Sequence, residues 1–486
     1  MRFVDLLTDA GWSATYRDAT LDAPRARRLV ERAAQRLAAA APAVGTQAGT
    51  PALTVFCAFT PLETLLCYCI ASRLGLLAAV LSPRTLARFL DDLDPALTVQ
   101  LVAPRGHKLP ATAGQHELVL LELALDSADG ANEDGATLPL PAQESRLVFS
   151  TSGTTGKPKR VICAESRLIG NAAMVADYLG LQADDRTLCT FPVHYMYGLS
   201  TTLCTLLTGG HIDYCDFLHP DLLAAKVMAS GVTVLPLIGD WADGLAQRWS
   251  QARFAPPRLL LLNASDRLTQ AQARTLLPFG SALWNNFGQT ESGPRLFAIN
   301  LSQIADLDSV TYRGTIAPGF PAFAQLELHI AHSDDIDGCG VLSYRSPYAM
   351  LGYLNDDGSV TPPDDWIASG DLFRRAANGA YLWAGRAAHT IKVNGQFVSL
   401  RALADDLLSY QTVTGVGYAR GQVDELCLFV EAETPAGDLG ARLHQAVART
   451  LRGKRSDIRI VPALPRTESG KIDFKQLNLS LAKESA

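Results

Sequence analysis

The chain has 486 residues, more than one hydrophobic core usually organises, so at least two domains are expected. Apolar residues make up 48% and charged residues 19%, a globular balance, and a formal charge of -6 leaves no basic footprint for nucleic acid or another polyanion. The nine cysteines are odd in number, sit mostly inside apolar runs and never show C-x-x-C spacing, which reads as buried free thiols in a reducing cytoplasm.

The opening residues, MRFVDLLTDAGWS, carry one arginine and no long apolar stretch, unlike a secretory signal. Asp22 and Pro24 then mark a helix start, and Leu29, Ala33 and Leu37 recur on one face of it. LTVFCAF (53–59) reads as a strand, PLETLLCYCIASRLG (61–75) as a helix, LLAAVL (76–81) and LTVQLV (97–102) as strands. That rhythm predicts parallel sheet with crossover helices. The most apolar region, 65–81, is interrupted by Arg73 and falls short of the ~20 residues a spanning helix needs, so no membrane span is expected.

An acidic, glycine-containing stretch at 126–141 reads as a surface loop leading into the short strand SRLVFS. Beyond residue 310 short strands and turns take over, with a hairpin expected around Asp337-Gly338 and another strand at GAYLWAG. The last hundred or so residues mix helix (RALADDLLSYQ, ARLHQAVARTLRG) with strand (ELCLFVEAE, DIRIVPA), the pattern of a small α+β unit. No internal repeat is present.

Directly after SRLVFS comes STSGTTGKPK (150–159). Gly153 and Gly156 let the backbone turn tightly and aim several N–H groups at one place; Ser150, Thr151, Ser152, Thr154 and Thr155 add hydroxyls, and Lys157 and Lys159 add charge. Such a concentration of donors suits a triphosphate. It is not a Walker A loop, because two residues separate the glycines and Pro158 follows Lys157. A plain Ser/Thr/Gly surface turn would have no need of the lysines.

STSGTTGKPK resembles the phosphate-binding signature of the AMP-forming acyl- and aryl-acid ligases, a superfamily that includes acyl-CoA synthetases, aryl-CoA ligases, adenylation domains and luciferase. Five further stretches resemble that family's motifs in order: FPVHYMYGLS (191–200) for the acid pocket, NNFGQTESG (285–293) for adenine and magnesium, ASGDLFR (368–374) for ribose, GRAAHTIKVNGQFV (385–398) for the hinge, and PRTESGKID (465–473) for the C-terminal lysine. The resemblance implies an α/β chain with a large N-terminal domain of mixed sheets and packed helices (1–386), which binds ATP and acid, and a small mobile α+β lid (387–486).

The implied reaction joins a carboxylic acid to AMP with release of pyrophosphate, then transfers the acyl group to a thiol. The thiol would be that of CoA or, as an alternative, the phosphopantetheine arm of a separate acyl carrier protein. A non-catalytic nucleotide-binding regulator is the reading from another class. Bringing two anions together makes charge compensation the main catalytic task. By resemblance Glu291 is a magnesium ligand with Thr154, Thr290 faces the α-phosphate, and Asp371 accepts the ribose hydroxyls, one carboxylate taking two hydrogen bonds. Thr151, Ser152, Gly153, Thr154, Thr155, Gly156 and Lys159 would hold phosphates; Asn286, Phe287, Gly288 and Gln289 the adenine side; Arg386, at the domain boundary, would contact the ribose or phosphate region, and Lys392 would also bind the cofactor. Lys471 would bridge acid and nucleotide during adenylation, Gly395 would line the thiol's path, and His194 would close the acid pocket. The chain departs from the family pattern at Ala388, where Asp or Lys is usual, and in VSLRALADD, which lacks an expected glutamate. The motif FPVHYMYG has no Asp at its start to pair with an α-ammonium, as the family's amino-acid-activating members usually do, and the resemblance so disfavours α-amino acids and leaves an aryl or acyl acid. Two lookalikes are discounted: GVGYARG (415–421) spaces its glycines wrongly for a dinucleotide loop, and His329 and His332 fall on opposite faces of one strand.

Overall fold

The run after Thr60 shows why the first half folds as it does. Thr60 and Glu63 form a reciprocal capping box, Pro61 opens the helix Pro61–Leu74, and Gly75 closes it at φ 65°, a left-handed conformation open to glycine without strain. The computed structural model of the chain describes residues 1–8, 11–40, 53–104, 109, 117–121, 138–151, 158–216, 219–332, 338–393, 396–408, 410, 412–420, 426–432, 438–451, 456–466 and 472–484.

That helix is the crossover between the parallel strands Leu53–Cys57 and Leu77–Leu81, and Leu53–Cys57 also pairs in parallel with Val99–Pro104. All three strands are buried along their whole length because both faces of the sheet are covered, which is why they read as unbroken apolar runs. Leu77–Leu81 pairs in parallel with Arg146–Thr151, and there the sheet changes hand: Arg146–Thr151 and Lys159–Ala164 are antiparallel, followed by Gly352–Leu354. The eight-stranded sheet is therefore mixed rather than parallel throughout.

A second sheet of nine strands has Val234–Leu237, Leu260–Asn263 and Ala282–Gln289 in parallel at its centre and the antiparallel Gly293–Asn300 beyond them. The helices Glu165–Leu179 and Met196–Leu207 pack on each other and on Gly293–Asn300. A four-stranded antiparallel sheet follows, containing Glu327–His332, Gly340–Arg345, Ile367–Arg375 and Tyr381–Arg386. The first two strands form the expected hairpin, with His332 opposite Gly340; Asp337 lies outside the described residues, as do 126–137 of the acidic stretch.

The small α+β part is built on the strands Gly415–Arg420, Leu426–Glu431 and Ser456–Val461. Residues of alternating parity feed two clusters: Val416, Tyr418, Leu428 and Val430 pack with Leu403, Leu407 and Leu443, while Ala419, Cys427 and Phe429 pack with Leu464, Leu477 and Leu481. Period-2 alternation with helices on both faces accounts for both. Gly415–Arg420, the false dinucleotide loop, is thus a plain strand of this sheet.

Arg73, which interrupts the most apolar run, is only 2% exposed: its Nε bonds Glu31 at 2.6 Å and its Nη2 donates to the carbonyl of Leu138. The nine cysteines are free and eight of them are buried. Among the described residues no helix is long and apolar enough to cross a membrane.

Candidate active site at two hairpin tips

The residues 152–157 connect two antiparallel strands, with Thr151 opposite Lys159 in the register. The Thr151 hydroxyl donates to the Lys159 carbonyl at 3.4 Å, pinning the base of the connection. Ser152, Gly153, Thr154, Thr155, Gly156 and Lys157 themselves lie outside the described residues. Lys159 sets its ammonium 4.9 Å from the ring centroid of Tyr353, on the neighbouring strand Gly352–Leu354. Burial, then the charge of Glu291 and a hydrogen bond to it, push the Tyr353 phenol up to about 12. The phenol therefore stays protonated and joins the first hairpin tip to the second.

The second tip is the turn between Ala282–Gln289 and Gly293–Asn300, in which Gln289 pairs with Gly293. It carries Thr290 and Glu291. Gly293 sits at φ 80°, and the Ser292 hydroxyl accepts from the Gln289 N–H at 3.0 Å, so the turn is held from within. The main-chain carbonyl of Thr290 accepts from Cys163 Sγ at 3.7 Å and that of Glu291 from the Met350 N–H at 2.8 Å. Gly288 is forced by packing: a Cβ there would meet the Pro294 carbonyl at 2.2 Å. Phe287 packs edge-on to Phe373, and Asn286 is buried with both ends of its side chain taken, by Tyr178 at 2.6 Å and by the Asn263 carbonyl at 3.2 Å. Asn286 in this state is part of the scaffold behind the site.

Asp371 and Arg386 face each other as register partners of the antiparallel strands Ile367–Arg375 and Tyr381–Arg386. An irregularity between Leu372 and Phe373 makes Asp371, Leu372 and Phe373 consecutively buried and turns the carboxylate inward. Trp383 Nε1 donates to Asp371 Oδ1 at 2.9 Å, Arg386 Nε stands 3.5 Å from the same oxygen, and Gln289 Nε2 donates to Oδ2 and to the Ser369 carbonyl. At 1% exposure burial wins over these donors and the carboxyl is raised above its ordinary value, with Arg386, Trp383 and Gln289 opposing. The expected ribose acceptor is thus shielded, and a ligand reaches it only when a neighbour moves. Arg386 has 45% of its side chain exposed.

In the acid-pocket motif Val193 and Tyr197 are buried, Phe191 stacks on Trp241 at 5.4 Å, and the His194 ring lies 4.6 Å from that of Tyr195. His194 Nε2 is sealed from solvent without a hydrogen-bond partner, and burial lowers the imidazole to about 4, leaving it neutral at pH 7. Beyond Arg386 a short turn, Ala387–His389, ends with His389 in ring contact with Tyr418 and Phe474 of the small part. Lys392 lies on Thr390–Val393. Gly395 and Lys471 are outside the described residues, although Arg466 and Ile472 pair on either side of the segment that carries Lys471.

Among the described residues no group of three or more His, Cys, Asp or Glu side chains could cage a metal. One carboxylate, Glu291, fits a magnesium ion that keeps most of its ligands as water and phosphate oxygen. Tyr353 and Trp383 were not singled out by the sequence; strand pairing brings them in, Tyr353 beside Val161 across a long separation and Trp383 from the strand next after that of Asp371.

Residues 28–354 match the family described as AMP-binding enzyme, and the chain belongs to that family. It is 27% identical over 346 residues to a salicylyl-CoA synthase / salicylate adenylyltransferase of Streptomyces sp, covering 67% of this chain but only 61% of that protein. An anthranilate–CoA ligase of Pseudomonas aeruginosa is 28% identical over 439 residues, 84% of this chain and 83% of its own. The fold is shared with an O-succinylbenzoate coenzyme A synthetase of Bacillus subtilis solved with AMP, at a TM-score of 0.75 and 18% identity over 98% of this chain and 97% of that one.

Proposed function

We propose that the protein uses ATP to activate a carboxylic acid as its acyl-adenylate and then passes the acyl group to a thiol, that of CoA. The observation that carries this reading is the convergence of Asp371, Gln289, Glu291, Tyr353 and Lys159 in a chain of the AMP-binding family. In the first step a carboxylate oxygen attacks the α-phosphorus and the bond to pyrophosphate breaks. In the second a thiolate attacks the acyl carbon and AMP leaves with the bonding electrons.

Lys159 and the 152–156 loop neutralise phosphate oxygens, and Thr290 faces the α-phosphate. Glu291, with Thr154, holds Mg2+, which when bound spreads the triphosphate charge. Asp371 takes the ribose hydroxyls once Arg386 has swung aside. Lys471 comes from the small part, here taken as a lid from residue 387 onward, to bridge acid and nucleotide. Gly395 belongs to the face presented for thiol attack, and Lys392 binds the cofactor. His194 stays neutral and closes the acid pocket.

The test is acid-dependent ATP–pyrophosphate exchange over benzoic, cinnamic and fatty acids, with Lys471→Ala beside the wild type. Exchange with one acid class, reduced in the variant by about 100- to 1000-fold, supports adenylation; losing one such contact typically costs about 3 to 4 kcal/mol. Nucleotide binding without exchange with any acid would sink it in favour of a regulator. Thioester formation on CoA, against transfer only to a phosphopantetheinylated carrier, decides the acceptor.

A further inference from the structure

Three arginines are buried among the described residues: Arg73, Arg160 and Arg295. Arg73 is paired with Glu31 at 2.6 Å and Arg160 with Asp356 at 2.8 Å. Arg295, 4% exposed, forms no ion pair with any carboxylate, and its Nε no hydrogen bond, among the described residues. Its Nη1 donates to the carbonyl of the preceding Pro294 at 2.9 Å, and the guanidinium is also hydrogen-bonded to the neutral Tyr178 phenol.

The guanidinium lies 5.2 Å over the ring of Tyr197, which belongs to the acid-pocket motif. Its charge also acts on Tyr178 and Cys204, which burial drives up and Arg295 draws back. Arg295 therefore sits between the helices Glu165–Leu179 and Met196–Leu207 and its own strand, four positions past Glu291. Stacking on one phenol ring recovers only part of what a guanidinium loses on leaving water. A buried cation without a carboxylate counter-charge, stacked on a residue of the acid-pocket motif, is a candidate to be completed by an anionic group of the substrate.

We propose that Arg295 is a specificity-determining residue that receives a second acidic oxygen group on the acid substrate, remote from the carboxylate that is activated. That group is a carboxylate or a phenolic hydroxyl. The inference rests on the ligase reading above and narrows its substrate from any aryl or acyl acid to one bearing a second oxygen acid. Tyr178 and Tyr197 frame the guanidinium from either helix, so the part of the substrate carrying this group lies among aromatic rings.

The experiment is pyrophosphate exchange by the full chain with benzoate, 3- and 4-hydroxybenzoate, isophthalate and terephthalate, comparing wild type with Arg295→Met and Arg295→Lys. Expected is a kcat/KM for at least one oxygen-bearing acid about 30-fold above that for benzoate, a ratio that collapses in Arg295→Met mainly through KM and is partly restored in Arg295→Lys. Which acids gain distinguishes carboxylate from phenol. A wild type that prefers benzoate, or a Met variant that lowers every acid equally, overturns the inference while leaving the ligase reading standing. Absence of exchange by the wild type with every acid would instead overturn the ligase reading, and this inference with it. Should Arg295→Met fail to fold, Arg295→Lys carries the comparison.

Discussion

The corner around Asp371 and the surroundings of Tyr197 are built on opposite rules. Around Asp371 each carboxylate oxygen already has donors, from Trp383, Arg386 and Gln289, and every partner sits on a paired strand. Around Tyr197 the polar groups are left incomplete: Arg295 Nε and His194 Nε2 are both buried without a partner. The difference teaches where the generic and the particular parts of the chemistry lie. On the proposed reading the Asp371 corner must release a donor before it takes a nucleotide, whereas the surroundings of Tyr197 keep valences open for an acid.

Breaking the organised corner should have the largest effect. Asp371→Ala strands the Trp383 indole and the Gln289 amide and is expected to destabilise the chain by about 3 kcal/mol, read by denaturant unfolding, as well as raising KM for ATP. An unchanged unfolding midpoint would mean those donors are satisfied elsewhere. Beside Tyr197 the sign should differ: Arg295→Met removes a buried unpaired charge and should not lower the melting temperature of the free protein. A clear drop in melting temperature would mean Arg295 is structural after all.

His194 gives a pH-dependent version of the same contrast. Its imidazole is held at about 4 by burial against an ordinary value of about 6.5. Between those values the unfolded chain binds the extra proton and the folded chain does not, so stability is complete above about pH 6.5 and falls as the pH drops toward 4. The loss is at most about 3 kcal/mol and smaller to the extent that solvent reaches the ring. His194→Gln should flatten that slope in an unfolding series from pH 7 to 4.5, and an identical slope would count against the burial argument. The smallest effect is expected from Tyr353→Phe, which loses the hydrogen bond to Glu291 while keeping the ring under Lys159, at about 1 kcal/mol. A modest rise in KM for ATP, with the fold intact, is the readout.

Much of this was legible in the sequence, and the reasons it stopped are physical. The helix and strand rhythm from Asp22 to Val102 could be read because each element carries its own period and caps, as Thr60, Glu63 and Gly75 show. Asp371 and Arg386 were named from motifs, and their strands pair them directly. Trp383 and Tyr353 were missed because they join the site through strand partners that no local pattern marks. Arg295 escaped notice because Gly293 to Phe297 is buried at every position, so no alternation separates an inward from an outward face. Arg73 looked like a break in an apolar run; its partner Glu31 lies 42 residues upstream, too far for local reading.

The thiols described at the outset acquire a further meaning beside this chemistry. An acyl-adenylate is a mixed anhydride that acylates any nearby thiolate, including the protein's own. Cys163 donates to the main chain of Thr290, at the edge of the second hairpin tip, yet burial and the charge of Glu291 push it up to about 12. Cys189 is likewise pushed up to about 12 and Cys204 to about 11. With the thiolate form suppressed at neutral pH, these sulfurs would be poor competitors for the activated acyl group of the proposed reaction.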